Sequence, residues 1–180
     1  MQAKRIRESA VTLAQVMNPQ DANPAGNVHG GVIMKLIDTA AGAAAIKHAG
    51  LNCVTASIDR LDFHNPVFIG DLVTLRASIN YTGKSSMEAG VRVESQNLFT
   101  GETRHTVSAY LTFVALDKQG RPAPIPQLIL ETADEWRRHR EAQPGRDSHG
   151  DAELRERQLR DHRTDPRRLL RLRRTGRPEP

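Results

Sequence analysis

The sequence predicts an α+β fold: one antiparallel sheet wrapped around a single long helix. Three observations carry this expectation. One segment, beginning at Asn27 and running through Ala45, has the almost wholly apolar pattern of a buried helix. Four later segments alternate apolar and polar residues with period two, the mark of strands covering a core on one side. No βαβ alternation occurs, so the strands have no crossover helices to make them parallel.

Each element follows in chain order. A first strand is expected over about Ala10 to Val16, ahead of the helix. The helix itself reads N-V-H-G-G-V-I-M-K-L-I-D-T-A-A-G from Asn27 to Gly42. At 100° per residue, Val32, Ile33, Leu36, Ile37, Ala40, Ala41 and Ala44 cover more than half its circumference. The run of small residues from Ala40 to Ala45 suits a helix gripped closely by other backbone. After it, Val54, Ala56 and Ile58 alternate with Thr55, Ser57 and Asp59. Val73, Leu75, Ala77, Ile79 and Tyr81 form a second apolar face, Met87, Ala89, Val91 and Val93 a third, and Val107, Ala109, Leu111, Phe113 and Ala115 a fourth. Turn signals separate them at Asn65-Pro66, Gly70-Asp71, Thr82-Gly83-Lys84 and Thr100-Gly101-Glu102.

Within the helix segment, Asp38 is a lone carboxylate about two turns in, on the border of the apolar arc beside Met34, Ala41 and Ala45, so partial burial is expected. Lys35 offers the plainer alternative of a solvated i,i+3 ion pair. Gly30 and Gly31 allow close approach to the backbone, and the helix start offers unpaired N–H groups and a positive dipole end to a developing anion. Asn27 is a residue type that caps helices, which by itself explains its presence.

The 180 residues fit one domain with a tail. The net charge of +5 is uneven: residues 1–136 hold 12 Lys+Arg against 13 Asp+Glu, and residues 137–180 hold 14 Arg against 8 acids. The segment 144–180 has no aromatic residue and few apolar ones, and reads as a mobile, solvated Arg-rich tail. Its interspersed acids and missing aromatics argue against a nucleic-acid partner. The one cysteine, Cys53, excludes an internal disulfide and fits a reducing compartment. No apolar run reaches the ~20 residues of a membrane span, and the N-terminus lacks a convincing signal peptide, so cytoplasm is the expected location. His48, His64 and His105 lack metal-ligand spacing and read as structural.

Four blocks then agree in order and spacing with a known family. They are N-V-H-G-G-V-I-M-K-L-I-D (Asn27 to Asp38), V-T-A-S-I-D-R-L-D-F-H-N-P-V (Val54 to Val67), K-S-S-M-E (Lys84 to Glu88) and S-A-Y-L-T-F-V-A-L (Ser108 to Leu116). Over roughly residues 8–135 the chain resembles the hotdog-fold acyl-CoA thioesterases, in their cytosolic acyl-CoA hydrolase branch. The resemblance implies an acyl-CoA substrate, water as acyl acceptor, and no metal or organic cofactor. It also implies a homodimer or trimer of dimers in which two sheets join edge to edge, with sites taking Asn27 from one subunit and Asp38 from the other. The family's aspartate is often followed by glutamate, where this chain has Thr39.

The residues fit that chemistry. Asp38 can deprotonate water or attack the thioester directly. Asn27 can orient the water or hydrogen-bond the carbonyl, and N–H groups near Gly30 and Gly31 are natural oxyanion donors. His29, in a tight glycine turn, reads as a packing or hydrogen-bonding residue behind the reacting atoms. Lys84, Ser85 and Ser86 follow a glycine turn and are candidates for CoA phosphate or pantetheine contacts, or an ordinary polar hairpin. The alternative function is a non-catalytic acyl-CoA-binding or regulatory hotdog protein, because fold alone does not fix activity.

Overall fold

The computed structural model describes residues 1–142; the segment 144–180, expected to be a mobile tail, lies outside the described residues. The chain forms β1 (Lys4–Arg5), α1 (Ile6–Ser9), β2 (Val11–Val16), a 3₁₀ turn (Pro19–Asp21) and the long α2 (Gly30–Ala49). It continues through β3 (Asn52–Phe63), β4 (Leu72–Thr82), β5 (Ser86–Gln96) and β6 (Thr103–Leu116) to β7 (Leu128–Ile129) and α3 (Ala133–Ala142). Five strands make one antiparallel sheet in the order β2-β4-β5-β6-β3, leaving β2 and β3 as its edges. A short parallel pair, β1 with β7, ties the N-terminus to the end of the sheet domain. The α+β architecture expected from the sequence is the one observed.

The sheet curls around α2 because the helix is apolar on the side it turns inward. Ile33, Leu36, Ile37, Ala40, Ala41, Ala44 and Ala45 are buried, and only Val32 of the expected arc is half-buried. They meet Val73, Leu75, Ala77 and Ile79 of β4, Met87 to Val93 of β5 and Val107 to Ala115 of β6. Full burial of a residue such as Ile33 or Ile37 contributes roughly 1.5–3 kcal/mol. The alanines let the helix lie low on the sheet, where Gly42 packs beside the Phe113 ring. Gly50 ends α2 in the left-handed conformation (φ +67°), its N–H donating to the Ile46 carbonyl. Lys4 Nζ donates to the Lys47 and His48 carbonyls at 3.1 and 2.8 Å, placing a cation at the negative helix end.

The strand pattern departs from the sequence reading in two places, each at a bulge. In β4 the register steps between Ile79 and Tyr81, so Asn80 is the extra residue and the expected face stops at Ile79. Asn80 is buried, Tyr81 half-buried, and Gly90 is the residue that leaves room for the Asn80 amide. In β3 there are two steps, between Thr55 and Ser57 and between Ile58 and Arg60. Val54 therefore pairs with Val114 and Ile58 with Leu111, on opposite faces, and the expected Val54–Ala56–Ile58 stripe does not exist. Cys53 and Leu61 pack against the core instead, and Ile58 is 44% exposed on the open edge.

Two features close the sheet from outside. The stretch after β6 runs back across its end, with Ala123 N–H on the Ala115 carbonyl and Ile125 N–H on the Lys84 carbonyl. Buried His48 joins this strap to the N-terminal segment: Nε2 bonds the Pro126 carbonyl at 3.0 Å and Nδ1 the Ser9 hydroxyl at 3.2 Å. Burial, offset in part by the Pro126 bond, holds the His48 pKa below the usual imidazole value. α3, which the sequence reading did not foresee, docks on β4 through Arg138 to Ser78 Oγ (3.3 Å) and His139 to the Asn80 carbonyl (3.1 Å).

Candidate active site

The loop before α2 is stapled by its own side chains. Asn23 Oδ1 accepts from the backbone N–H of Ala25 (2.9 Å) and Asn27 (3.2 Å), and Asn23 and Asn27 also pair through their backbones. Val28 N–H bonds the Val67 carbonyl, and Asn27 bridges to Phe68, fixing this loop against the segment that enters β4. Asn27 is half-buried, and its side chain makes no hydrogen bond among the described residues. Asn27 does not cap α2. That position belongs to His29, whose Nδ1 accepts from Gly31 N–H at 2.9 Å.

The start of the helix is therefore less open than expected. Gly31 N–H is taken by the imidazole, and Val32 N–H bonds the His29 carbonyl at 2.9 Å. Of the first three helix amides, Gly30 N–H alone has no partner among the described residues. Phe63, at the end of β3, lies against Gly30.

Asp38 is exposed, contrary to the expected partial burial. The reason is the edge position of β3: among the described residues no further strand covers the side of α2 that carries Met34 and Asp38, which share one stripe with half-buried Gly30. Met34 is 40% and Phe63 52% exposed beside it. Asp38 does not pair with Lys35; its Oδ1 accepts from the hydroxyl of Thr55 on β3 at 2.7 Å. Thr55 stands opposite Phe113 in the sheet register, on the face turned to the helix. Sequence reasoning missed Thr55 because it took this residue for the polar side of a strand whose alternation the bulge interrupts.

Lys84, Ser85 and Ser86 lie at the other end of the sheet. Ser86 opposes Val114 near the end of β6, next to the C-terminal end of α2, whereas the Asn27 loop lies at the start of β4. Lys84 is exposed, while Ser85 and Ser86 are 6% and 5% exposed. Cys53 is half-buried, and burial pushes its thiol up to about 11, which fits a structural role. The His64 and His105 rings lie 4.9 Å apart, tilted by 44°, and Ser108 Oγ meets His105 Nε2 at 3.0 Å. Among the described residues no group of three His, Cys, Asp or Glu could hold a metal ion, and no helix is long and apolar enough to cross a membrane.

Residues 25–98, which span this loop, α2 and strands β3 to β5, match the model of the thioesterase superfamily. A protein of Bacillus subtilis (strain 168) described as an uncharacterized acyl-CoA thioester hydrolase, YkhA, is 38% identical over 136 residues, which cover 76% of this chain and 79% of the relative. The chain belongs to the hotdog-fold acyl-CoA thioesterases. The cytosolic acyl coenzyme A thioester hydrolase of Rattus norvegicus is 37% identical over 138 residues, and this chain spans about a third (36%) of that relative's length.

Solved members superpose closely. A hexameric acyl-CoA thioesterase has a TM-score of 0.78 at 37% identity, over 88% of this chain and 98% of that one. The acyl-CoA hydrolase of Staphylococcus aureus, solved with butyryl coenzyme A, has a TM-score of 0.77 at 32% identity, over 89% and 98%. Structures of that enzyme also exist with alanine in place of an aspartate, of a threonine seventeen residues after it, and of an asparagine fifteen residues before it.

Proposed function

We propose that the protein hydrolyses the thioester of acyl-CoA, releasing free CoA and a carboxylic acid, at a site shared between two copies of the chain. The observation that carries this reading is Asp38, held by Thr55 and exposed on the same helix stripe as Gly30, whose N–H has no partner among the described residues. Eight residues of helix separate Asp38 from Gly30, about 12 Å along the axis. A base and an oxyanion donor must each come within ~3 Å of one carbonyl group. One chain therefore cannot serve a thioester with both.

A homodimer removes the difficulty. If β3 pairs with its own copy across a two-fold axis, the two α2 helices run antiparallel. Positions 30 and 38 are equidistant from Met34, so an axis near Met34 sets the partner subunit's Asp38 opposite Gly30. The exposed apolar residues Met34, Ile58 and Phe63 lie along that boundary and would be covered. The hexameric relative supports a trimer of such dimers.

In this site Asp38 takes a proton from water as the oxygen adds to the carbonyl carbon, or attacks that carbon itself to form a mixed anhydride that water then hydrolyses. The C–S bond breaks, the CoA sulfur leaves as thiolate, and the acid remains. Gly30 N–H stabilises the oxyanion, with the α2 dipole behind it. Thr55 holds the carboxylate. Water alone completes the reaction, and no step calls on a cofactor. Lys84 is proposed to meet CoA phosphate; buried Ser85 and Ser86 shape its loop.

The family resemblance implies Asn27 as the site asparagine. The S. aureus spacing, counted from Asp38, falls on Thr55 and Asn23. Asn23 already spends Oδ1 on the loop, which leaves its amide N–H₂ to donate to the thioester or to water.

The test is thiol release from short, medium and long acyl-CoAs, followed by subunit mixing. Asp38→Ala should lose at least ~100-fold in kcat while staying folded. Mixed with Asn23→Ala or Asn27→Ala, it should recover activity, since a mixed dimer restores one intact site of two. The asparagine variant that is inactive alone and complements is the one that acts. Acyl-CoA binding without thiol release would leave the non-catalytic reading.

A further inference from the structure

The imidazole at the start of α2 is unusual as a cap. Helix caps are normally Ser, Thr, Asp or Asn, whose oxygens accept at any physiological pH. Here the acceptor is a ring nitrogen. His29 takes an N-cap conformation (φ −65°, ψ 130°), and its Nδ1 accepts Gly31 N–H at 2.9 Å. That bond fixes the ring chemically. Nδ1 must carry a lone pair, so in the neutral ring the proton sits on Nε2. A second proton would go onto Nδ1 and set donor against donor. Gly31 is part of the arrangement: a Cβ there would stand 3.1 Å from Nδ1, tighter than an ordinary contact.

The consequence concerns the reaction. With Gly31 and Val32 N–H both engaged, Gly30 N–H is, among the described residues, the helix-start amide left to face a ligand. Its direction depends on the turn that the His29 cap closes. We propose that His29 is a positioning residue: its neutral imidazole caps α2 through Nδ1 and thereby holds Gly30 N–H as the oxyanion donor. The inference rests on the thioesterase reading and adds to it a dependence of turnover on the protonation of one side chain.

Other charged groups belong to the elements packed around this turn. Asp21, whose backbone carbonyl accepts His29 N–H, has its carboxylate on Asn18 N–H. On the segment that bonds Val28, the His64 ring lies tilted against His105; beyond it Asp71 pairs with Arg104, which lies over Phe68. Lys35 and Asp38 lie further along α2. None of them is altered by substituting residue 29, so a comparison at that position isolates the cap.

The experiment uses the full chain. Thiol release is followed from pH 7.5 to 5.5 for wild type, His29→Ala and His29→Asn, with circular dichroism confirming the fold at each pH. His29→Ala should lose about tenfold in kcat at pH 7.5, the scale of a lost cap. His29→Asn restores an acceptor that does not titrate, so it should recover most of that loss. It should also fall less than wild type on acidification. An identical acid fall in wild type and His29→Asn, or wild-type kcat in His29→Ala, overturns the proposal. Absence of thiol release from wild type at every pH would sink the thioesterase reading instead. The cap is then read from melting temperature alone. The difference between His29→Asn and wild type should widen in favour of the variant as pH falls, and a constant difference refutes the titrating cap.

Discussion

Thr55 is the residue whose role depends most on the three-dimensional structure, and Thr55→Val isolates it. Valine keeps the β-branched shape and strand preference of threonine and removes only the hydroxyl that donates to Asp38 Oδ1 at 2.7 Å. A hydrogen bond to a charged group contributes about 1.5–3 kcal/mol. Asp38 is exposed in the single chain, so the lower value applies there, and the upper one where a second subunit excludes water from the pair. At about 1.4 kcal/mol per decade, kcat should fall roughly 10- to 100-fold. Thr55→Ser retains the hydroxyl and should keep most of the rate. The assay is steady-state thiol release with melting temperature alongside. Asp38 is exposed, so water can replace the lost hydroxyl in the single chain and stability should change by only about 1 kcal/mol. A Thr55→Val enzyme with wild-type kcat would show that the bond to Asp38 does not orient the reacting carboxylate. A matching loss in Thr55→Ser would point to packing rather than the hydroxyl.

Two further outcomes concern stability. Gly90→Ala should cost about 1–3 kcal/mol, because its methyl group would occupy the place of the Asn80 amide and displace it from Glu88 Oε1; that is a drop of several degrees in Tm for a chain of this size. Asn80→Ser in the same chain should recover most of it, and an unchanged Tm in Gly90→Ala would refute the close contact. Buried His48 is kept neutral by desolvation, so its folded pKa lies below the unfolded one. Its contribution to stability is then complete above the unfolded value of about 6.5 and is lost as pH falls below it. Tm should decline from pH 7 to 5 in wild type and more shallowly in His48→Gln; equal slopes would exclude His48 as the cause.

Much of this architecture was legible because it rests on local periodicity. The small-residue helix, its buried stripe from Ile33 to Ala45, and the inward faces of β5 and β6 follow from repeats of 3.6 and 2.0 residues, which chain geometry imposes wherever one side is covered. The helix carrying Asp38, and the turn with Gly30 and Gly31, were readable for the same reason. What failed was phase. The bulge at Asn80 and the two within β3 each insert one residue, which switches the faces of the residues that follow until the next bulge, and no single-residue signal announced them.

Contacts between distant segments were decided only by the tertiary structure. The 2.7 Å bond from Thr55 to Asp38 spans an edge strand and a helix, and α3 reaches β4 across about sixty residues of chain. The cap on α2 fell to His29 rather than Asn27 because Asn27 is held in the preceding loop by its pairing with Asn23 and Phe68. The exposure of Asp38 has the same origin. An amphipathic pattern records which positions are apolar, whereas the sheet order leaves β3 at an edge and that side of α2 uncovered among the described residues.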